Sequence, residues 1–550
     1  MPEAGSRCNV RFVGRWQRYW FADGGRHALA IVRVAVALSV IASLVRLVTD
    51  PTLVAPEGLY RPVGIWMLLG SSPPPAFLIT LLMIVAWVAT IAMLLGLVTR
   101  ASTALSFVAG VALAAVSHSH SAHWSHVYNV VFLAQLALLG ARAGDALSLD
   151  ALIRRWRGLP QLNLPRAYQW SLRLVQLAVA LMFVGAVFHK LAHGHFTLRW
   201  ALSDNLRHHL LVKYDLAGLE RPALVDWLLQ DVWRYRTAAL LNMITQLTPL
   251  FAVLFVRRPF VRLVCGLAFV AEVLGLGLVV DLWNLHWLPL AAVFVDWDRL
   301  IEWMAKQLGK PLRVPPTLVD WRPPRGPRIW IVVFVVYDVL TGFIPTLDQR
   351  LNTYPFSGFP MFANLRVREP YDEHLPYSVA GDQFDITSAQ PVSPNAQTFI
   401  DHHYRGTHGI RDAARLQTKL ETIRSECNTK WFPGLGITGV RHHVVIFEAP
   451  AYPGPARFDR HPLAVSGELQ GDRFRTLLGR WSGTTVELVP QGIDTAGARL
   501  VYYAGDRPEP HELAATRAGN TFTLETPIAD DGYLVAVIGD ERWLVASKRR

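Results

Sequence analysis

Long apolar runs constrain this chain more than any other feature of its sequence. A helix that crosses the roughly 30 Å hydrocarbon layer of a membrane needs about 20 apolar residues. Runs that approach this length lie near residues 28–48, 76–98, 101–117, 127–141, 172–189, 237–256, 260–280, 285–297 and 329–346. The sequence therefore predicts a mainly α, polytopic membrane bundle of about nine transmembrane helices, in which 127–141 and 285–297 are short for a full crossing.

The composition indicates the same class. Hydrophobic residues make up 52% of the 550 residues and charged residues only 17%, which is too apolar for an ordinary soluble enzyme. No run has the short apolar core and the small-residue cleavage site of a secretory signal, so we expect the first helix to be retained.

The arginines predict the orientation of the bundle. Short connections rich in Lys and Arg stay cytoplasmic, and the N-terminal segment contains Arg7, Arg11, Arg15, Arg18 and Arg26. Nine crossings from a cytoplasmic N-terminus place 118–126, 190–236 and everything after about residue 347 on the outer face. Topology then accounts for the formal net charge of +12, and we expect no nucleic-acid partner. Alanine- and arginine-rich spans are typical of bacteria, so we expect a multi-pass protein of the bacterial cytoplasmic (inner) membrane with an extracytoplasmic C-terminal domain.

The chain changes character after the last run. Residues 347–450 are predicted to form an extracytoplasmic α+β lobe that rests on the transmembrane domain, 1–346. Residues 451–550 alternate apolar and polar positions in short runs separated by Gly-Asp turns, which predicts a small antiparallel β-domain of the sandwich type. One amphipathic helix is predicted near 411–426, with its apolar positions at helical spacing: Leu416, Leu420 and Ile423.

A histidine-rich segment, HSHSAHWSHVYN (118–129), lies at the outer end of the third run. Its histidines permit three interpretations. They are ligands of zinc or copper, with His123 and His126 one helical turn apart; they anchor an interfacial loop together with Trp124; or one of them, His126 first, takes part in binding or acid–base chemistry. No metal site is assigned, because no cysteine pair or H-E-x-x-H arrangement accompanies them.

Lys190 ends a later apolar run, in LMFVGAVFHKLAHGHFTLRW (181–200). A lysine at this position either extends its ammonium to the interface or faces the bundle. In the second case desolvation favours the neutral amine, which is a base that can accept a proton from an acidic hydroxyl such as that of a quinol.

Further ionisable residues lie within or near the runs: Arg33, Arg46, Glu272, Asp281, His286 and Asp296. Each is costly in lipid unless it is paired or faces a cavity. We predict that Arg33 and Glu272 form a structural pair. Asp281 and His286 lie at outer ends of their runs, so they are also candidates for the Lys190 site.

Three motifs, taken together, resemble those of a known family. They are His126-Val127-Tyr128, which opens a run; Ser148-Leu149-Asp150-Ala151-Leu152, which follows that run; and Gly185-Ala186-Val187-Phe188-His189-Lys190-Leu191, which ends a later run. In order and spacing the chain resembles the vitamin K-dependent γ-glutamyl carboxylases and their bacterial relatives, which share the horizontally transferred transmembrane (HTTM) domain. The resemblance covers roughly residues 25–370 and includes Phe359-Pro360-Met361-Phe362 in the C-terminal lobe. A tryptophan of the family pattern, Trp200, comes about five residues late.

The resemblance implies a quinol-dependent carboxylase, a lyase, that acts on the outer face. Lys190 would deprotonate a reduced vitamin K-like quinol, assisted by His126; with O2 the quinol anion yields a base that removes a γ-proton from glutamate, and the carbanion adds CO2. A glutamate-containing peptide or protein is the implied partner besides the lipid bilayer. We expect four further residues to bind substrate: His189, Tyr128, His286 and Asp281.

Two other functions remain open. A non-enzymatic protein of maturation, secretion or immunity would use the same fold as a scaffold, and a transporter would explain buried charge but would show inverted repeats. An enzyme is expected to bury Lys190 with His126 and a further acid, whereas a scaffold leaves Lys190 facing water.

Overall fold

The chain divides into two compact units. A helical unit takes in Met1–Val54, Arg61–Trp200 and Ala239–Leu365, and a mixed unit takes in Ala55–Tyr60, Ala201–Ala238 and Arg366–Arg550. The computed structural model describes residues 14–48, 62–69, 72–120, 126–160, 163–215, 219–309, 323–343, 377–404, 406–449, 452, 459–504, 510–528 and 532–548.

Helices dominate the chain up to residue 343. Residues 14–20 are helical, and a 3₁₀-helix, Leu285–Phe294, follows the α-helix Pro259–Val280. The α-helices are α1 (Arg26–Val48), α2 (Ala76–Leu95), α3 (Thr99–His120), α4 (Asn129–Leu138), α5 (Leu149–Trp156), α6 (Gln169–His193), α7 (Arg199–Leu202), α8 (Asn205–Tyr214), α9 (Ala223–Leu229), α10 (Val232–Leu254), α11 (Pro259–Val280), α12 (Trp297–Gln307), α13 (Arg325–Phe343), α14 (Pro394–His403) and α15 (Ala413–Glu426).

Seven helices of the described chain are long and apolar enough to cross a membrane: α1, α2, α3, α6, α10, α11 and α13. Each coincides with one of the predicted apolar runs, so the prediction of these helices is confirmed. The two short runs form the shorter apolar helices His126–Leu138 and Leu285–Phe294. The number of membrane crossings stays a prediction.

Arg33 on α1 binds backbone carbonyls and not a carboxylate, so the predicted pair with Glu272 is wrong. Its side chain is fully buried, and its guanidinium donates to the carbonyl oxygens of Ala143 at 2.7 Å and Leu147 at 2.5 Å. A guanidinium has five N–H donors in a planar fork, so it can satisfy several carbonyls of an irregular segment at once. Arg33 thereby holds the connection between α4 and α5 against α1.

The second of the three motifs has a structural role. Ser148 caps the N-terminus of α5, where its Oγ accepts from the backbone N–H of Ala151 at 3.0 Å. Asp150 accepts from the backbone N–H groups of Val98 and Thr99 at 2.8 and 2.9 Å, at the start of α3. A carboxylate is favourable at this end of a helix because it meets unpaired N–H groups and the positive end of the dipole. The motif therefore joins two helix starts.

One sheet contains the described strands of the mixed unit. The strands are β1 (Tyr377–Ser388), β2 (Ile437–Ala449), β3 (Asp459–Gln470), β4 (Arg473–Ser482), β5 (Thr485–Gln491), β6 (Arg499–Ala504), β7 (Pro510–Glu512), β8 (Ala515–Ala518), β9 (Thr521–Leu524), β10 (Gly532–Ile538) and β11 (Glu541–Lys548). Their order in the sheet is β7-β6-β10-β11-β3-β4-β5-β9-β8, with β2 added to β3 and β1 added to β2.

The sheet confirms the predicted C-terminal β-region, and the sandwich form of that region stays a prediction. Its pairs are antiparallel except where Trp543 of β11 lies parallel to Val465 of β3, and side chains of β4, β5 and β9 share a core with those of β6, β10 and β11. The predicted division near residue 450 falls between β2 and β3, which pair with each other. Strands on both sides of that position therefore belong to the same sheet.

Helix α15 covers part of this sheet, as its sequence predicts. Leu416, Leu420 and Ile423 are fully buried and form a core cluster with Phe384 of β1 and Val440 of β2. Their spacing places them on one face of the helix, which explains why the sequence pattern was sufficient to identify it.

Candidate functional site

Lys190 lies inside the helical unit near the C-terminal end of α6. Its side chain is 1% exposed, so its ammonium does not extend to water. Helix α6 is also the most enclosed of the seven long helices, with 78% of its most apolar stretch buried. An amine in such surroundings needs polar partners, because a buried charge without them is costly.

Two amide side chains on α10 meet the amine. Lys190 Nζ donates to Asn242 Oδ1 at 2.5 Å and to Gln246 Oε1 at 2.9 Å. Residues four apart lie on one face of a helix, so α10 presents both amides to Lys190. The ring of Trp200, the tryptophan of the family pattern, lies 4.2 Å from Nζ, within the range of a cation–π contact.

Glu272 on α11 closes the network from the other side. Its Oε1 accepts from Asn242 Nδ2 at 2.6 Å and from Gln246 Nε2 at 2.8 Å, and its Oε2 accepts from Thr245 Oγ1 at 2.7 Å. Each amide therefore accepts from the amine and donates to the carboxylate. We call the five residues Lys190, Asn242, Thr245, Gln246 and Glu272 the Lys190 network.

A proline shapes α10 next to this network. Pro249 lies inside the helix and has no N–H, so the carbonyl of Thr245 loses its usual donor. The hydroxyl of Thr248 donates to that carbonyl at 2.6 Å instead. The Thr245 hydroxyl lies 2.7 Å from Glu272 Oε2 and also within hydrogen-bonding distance of the carbonyls of Leu241 and Asn242.

The Lys190 network holds an amine and a carboxyl group at opposite ends of two amides. Glu272 is 6% exposed, and the two groups can carry opposite charges that offset each other in an apolar environment.

Sequence reasoning placed Glu272 with Arg33 and did not single out the α10 residues. The sequence feature that could have identified them is the spacing of Asn242, Thr245 and Gln246, which are polar residues at positions i, i+3 and i+4 of an apolar run.

The structure brings several of the other predicted site residues together. The ring of Tyr128 lies 6.2 Å from that of His118 and 5.9 Å from that of His286. His286 Nε2 lies 3.0 Å from the carbonyl oxygen of Val127. The side chain of His126 is close enough to those of His118 and His189 to interact with them electrostatically. These residues form a histidine-aromatic cluster within the helical unit.

Lys190 hydrogen-bonds to amides and not to His126. The side chain of the neighbouring residue, His189, contacts α13 instead: its Nε2 lies 3.2 Å from the carbonyl oxygen of Gly342. Asp281 is exposed at the C-terminal end of α11 and accepts from Trp283 Nε1 at 3.1 Å. The structure therefore does not place Asp281 in the Lys190 network, and the predicted cooperation of Lys190 with His126 has no direct contact to support it.

The metal interpretation of the histidine segment finds no ligand group in the part of the chain that the structure describes. No three His, Cys, Asp or Glu side chains come together there in a way that could hold a metal ion. His118 Nδ1 instead lies 2.7 Å from the carbonyl oxygen of Ala114 in its own helix. His123 and Trp124 lie outside the described residues, as does Phe359-Pro360-Met361-Phe362.

Comparisons of the chain with protein-family models, with curated proteins and with solved structures gave no match. The resemblance to the carboxylases therefore depends on the motifs alone.

A second buried polar cluster lies in the mixed unit. Asp382 Oδ1 lies 2.8 Å from His442 Nε2 and 3.0 Å from His408 Nδ1, and Asp382 Oδ2 accepts from the backbone N–H of Gly406 at 2.6 Å. Burial alone would raise the pKa of Asp382, but the hydrogen bonds from His408 and His442 hold it well below its ordinary value. Burial lowers the pKa of His442, against the opposing effect of Asp382. The cluster connects β1, β2 and the segment before α15.

The mixed unit is expected to lose stability in two steps as the pH falls. Below about pH 6.5 His442 binds a proton in the unfolded chain but not yet in the folded chain, where its pKa is lower. Protonation therefore favours the unfolded state. Below about pH 4 the unfolded chain also protonates Asp382, whose folded pKa is lower still, and the stability it contributes above that pH is lost. Hydrogen-exchange protection of β1 and β2 in the full-length protein, measured from pH 7 to 3.5, tests this.

Asp382→Asn should remove the step below pH 4, and Asp540→Asn, at an exposed turn, should leave both steps in place. Equal pH profiles for Asp382→Asn and the unaltered protein would contradict this account of the cluster.

Proposed function

We propose that this chain is a multi-pass protein of the bacterial cytoplasmic membrane in which Lys190 is the base for a lipid-soluble quinol. The reaction proposed is that of the carboxylases which its motifs resemble: quinol-dependent carboxylation of glutamate side chains on the extracytoplasmic face. The observation that carries the proposal is Lys190 itself, buried at the motif position and linked to Glu272 through Asn242 and Gln246.

Exposed apolar side chains support the membrane location. Helices α2 and α13 bury only 22% and 17% of their most apolar stretches. They expose large side chains such as Phe77, Val88 and Ile329. Contiguous apolar surface of this kind is unfavourable in water and is expected where lipid or a partner covers it.

The Lys190 network fits a proton acceptor. A neutral amine has two N–H donors and one lone pair, and Asn242 and Gln246 accept both hydrogen bonds. The lone pair then remains available for a proton, and the ammonium that results is stabilised by Glu272 across the two amides. A bound quinol supplies the acidic hydroxyl, and with O2 and CO2 as co-substrates it supplies the carboxylation chemistry.

We expect Lys190→Arg to lower carboxylation at least about 100-fold, the usual contribution of a general base. Arginine places a positive charge opposite Glu272 that is never lost at neutral pH, so it offers no lone pair for a proton. The assay uses the full-length protein in lipid vesicles with reduced vitamin K, oxygen, labelled bicarbonate and a glutamate-rich peptide. Lys306→Arg, at an exposed position of α12, is the matched control, and thermal unfolding shows whether each variant is folded.

A folded, unaltered protein that incorporates no label would contradict the reaction. That outcome would favour the non-enzymatic alternative, in which the Lys190 network stabilises a scaffold. A fully active Lys190→Arg variant would show that carboxylation does not need Lys190 as its base.

A further inference from the structure

A strongly basic cavity lies in the helical unit, formed by residues far apart in the sequence. It has a volume of about 560 Å³ and is lined by the helical segment 14–20, the start of α6 and the connection between α10 and α11. Five arginines contribute to it: Arg15, Arg18, Arg173, Arg257 and Arg258. In the described chain no ion pair joins any of the five to a carboxylate.

Arg173 indicates that this cavity is built for a ligand. Its side chain is only 4% exposed, yet its Nε and Nη1 have no hydrogen-bond partner among the described residues. Its guanidinium lies over the ring of Tyr19 at 4.5 Å, and the Tyr19 hydroxyl donates to the carbonyl of Val253 at 3.1 Å. The ring fixes the guanidinium at the cavity wall and leaves N–H donors for an acceptor.

The local backbone adds to the positive potential. Helix α11 begins at Pro259, directly after Arg257 and Arg258, and its N-cap residue Arg258 provides no side-chain cap. The first turn of a 22-residue helix therefore presents unpaired N–H groups and the positive end of its dipole next to the arginines. Phosphate is an anion whose oxygens suit this combination of guanidinium forks and helix start.

We propose that this cavity binds a phosphate group. The proposal is independent of the quinol reaction. Membrane phospholipid is the favoured source, because exposed apolar side chains lie at the cavity: Leu254 and Phe255 line it, and Phe260 follows on α11. An acyl chain can cover these side chains while the headgroup reaches the arginines. In the predicted topology the cavity faces the cytoplasmic leaflet, whose anionic lipids attract such basic sites.

The test measures binding of short-chain phosphatidylglycerol, phosphatidylcholine and inorganic phosphate to the full-length protein in neutral detergent, by native mass spectrometry and calorimetry. We expect phosphatidylglycerol to bind more tightly than phosphatidylcholine. The double variant Arg257→Gln/Arg258→Gln should weaken its binding about 10- to 30-fold, since each arginine near a lipid surface contributes about a factor of five. Both positions are exposed, so the fold is not at risk. Arg173→Gln should weaken binding similarly.

Arg155→Gln, at an exposed position of α5 outside the cavity, is the control for charge alone and should change binding less than twofold. Inorganic phosphate that binds at the same arginines and competes with the lipid would support the phosphate site with a soluble source. Equal losses in the double variant and in Arg155→Gln, or no preference for the anionic lipid together with no binding of phosphate, would overturn the proposal.

Discussion

Lys190→Met is expected to lower the free energy of unfolding by about 2–4 kcal/mol, because a buried acceptor left without its donor costs about 1–3 kcal/mol. The acceptors are the amide oxygens of Asn242 and Gln246, which both lose the Lys190 amine as their donor. Methionine is close to lysine in volume, so the loss would not come from packing. Unfolding in mixed micelles, followed by tryptophan fluorescence, measures the change.

The double variant Lys190→Met/Glu272→Gln should lose less stability than the sum of the two single substitutions, because both residues bind the same two amides. Lys306→Met, at an exposed position of α12, is the matched control and should change stability by less than about 0.5 kcal/mol. Strictly additive losses from the two substitutions would contradict coupling through the amides.

Arg33→Ala should destabilise the helical unit by about 1–3 kcal/mol, the cost of leaving the buried carbonyl of Ala143 without its donor. Leu147 is exposed, so its carbonyl can bind water instead, and the connection between α4 and α5 is expected to open. Arg33→Lys should restore only part of the loss, since an ammonium cannot reproduce the planar fork.

Thermal unfolding of Arg33→Ala, Arg33→Lys and the exposed control Arg100→Ala in the full-length protein tests this second expectation. If Arg33→Ala unfolds at the same temperature as the control, the hydrogen bonds from Arg33 to this connection do not stabilise the helical unit.

The sequence was sufficient where a pattern determines a single element. The apolar runs correspond to the long helices, and the spacing of Leu416, Leu420 and Ile423 predicted α15 and its buried face. Both depend on the period of a helix, which is local information. The motif singled out Lys190, whose burial the sequence left open and the structure shows.

The pairing of polar groups between helices could not be predicted in this way. The period of apolar residues shows which face of a helix is buried, but it does not show which neighbouring helix packs against that face. For this reason the sequence analysis paired Glu272 with Arg33. The structure satisfies Arg33 with carbonyls of an irregular connection, which no side-chain pattern reveals, and Glu272 with residues of α10. The division near residue 450 fell between two paired strands because strand pairing is equally invisible to alternation within one strand.

The central claim is that the Lys190 amine takes up a proton from a quinol, and ¹⁵N NMR of the lysine side chains tests it most directly. The chain has only seven lysines, so the Nζ signal of Lys190 can be assigned by its loss in Lys190→Arg. Addition of reduced quinone to the full-length protein in anaerobic micelles should shift this one signal from the amine to the ammonium range. A Lys190 signal that stays unchanged while the quinol binds would contradict the claim.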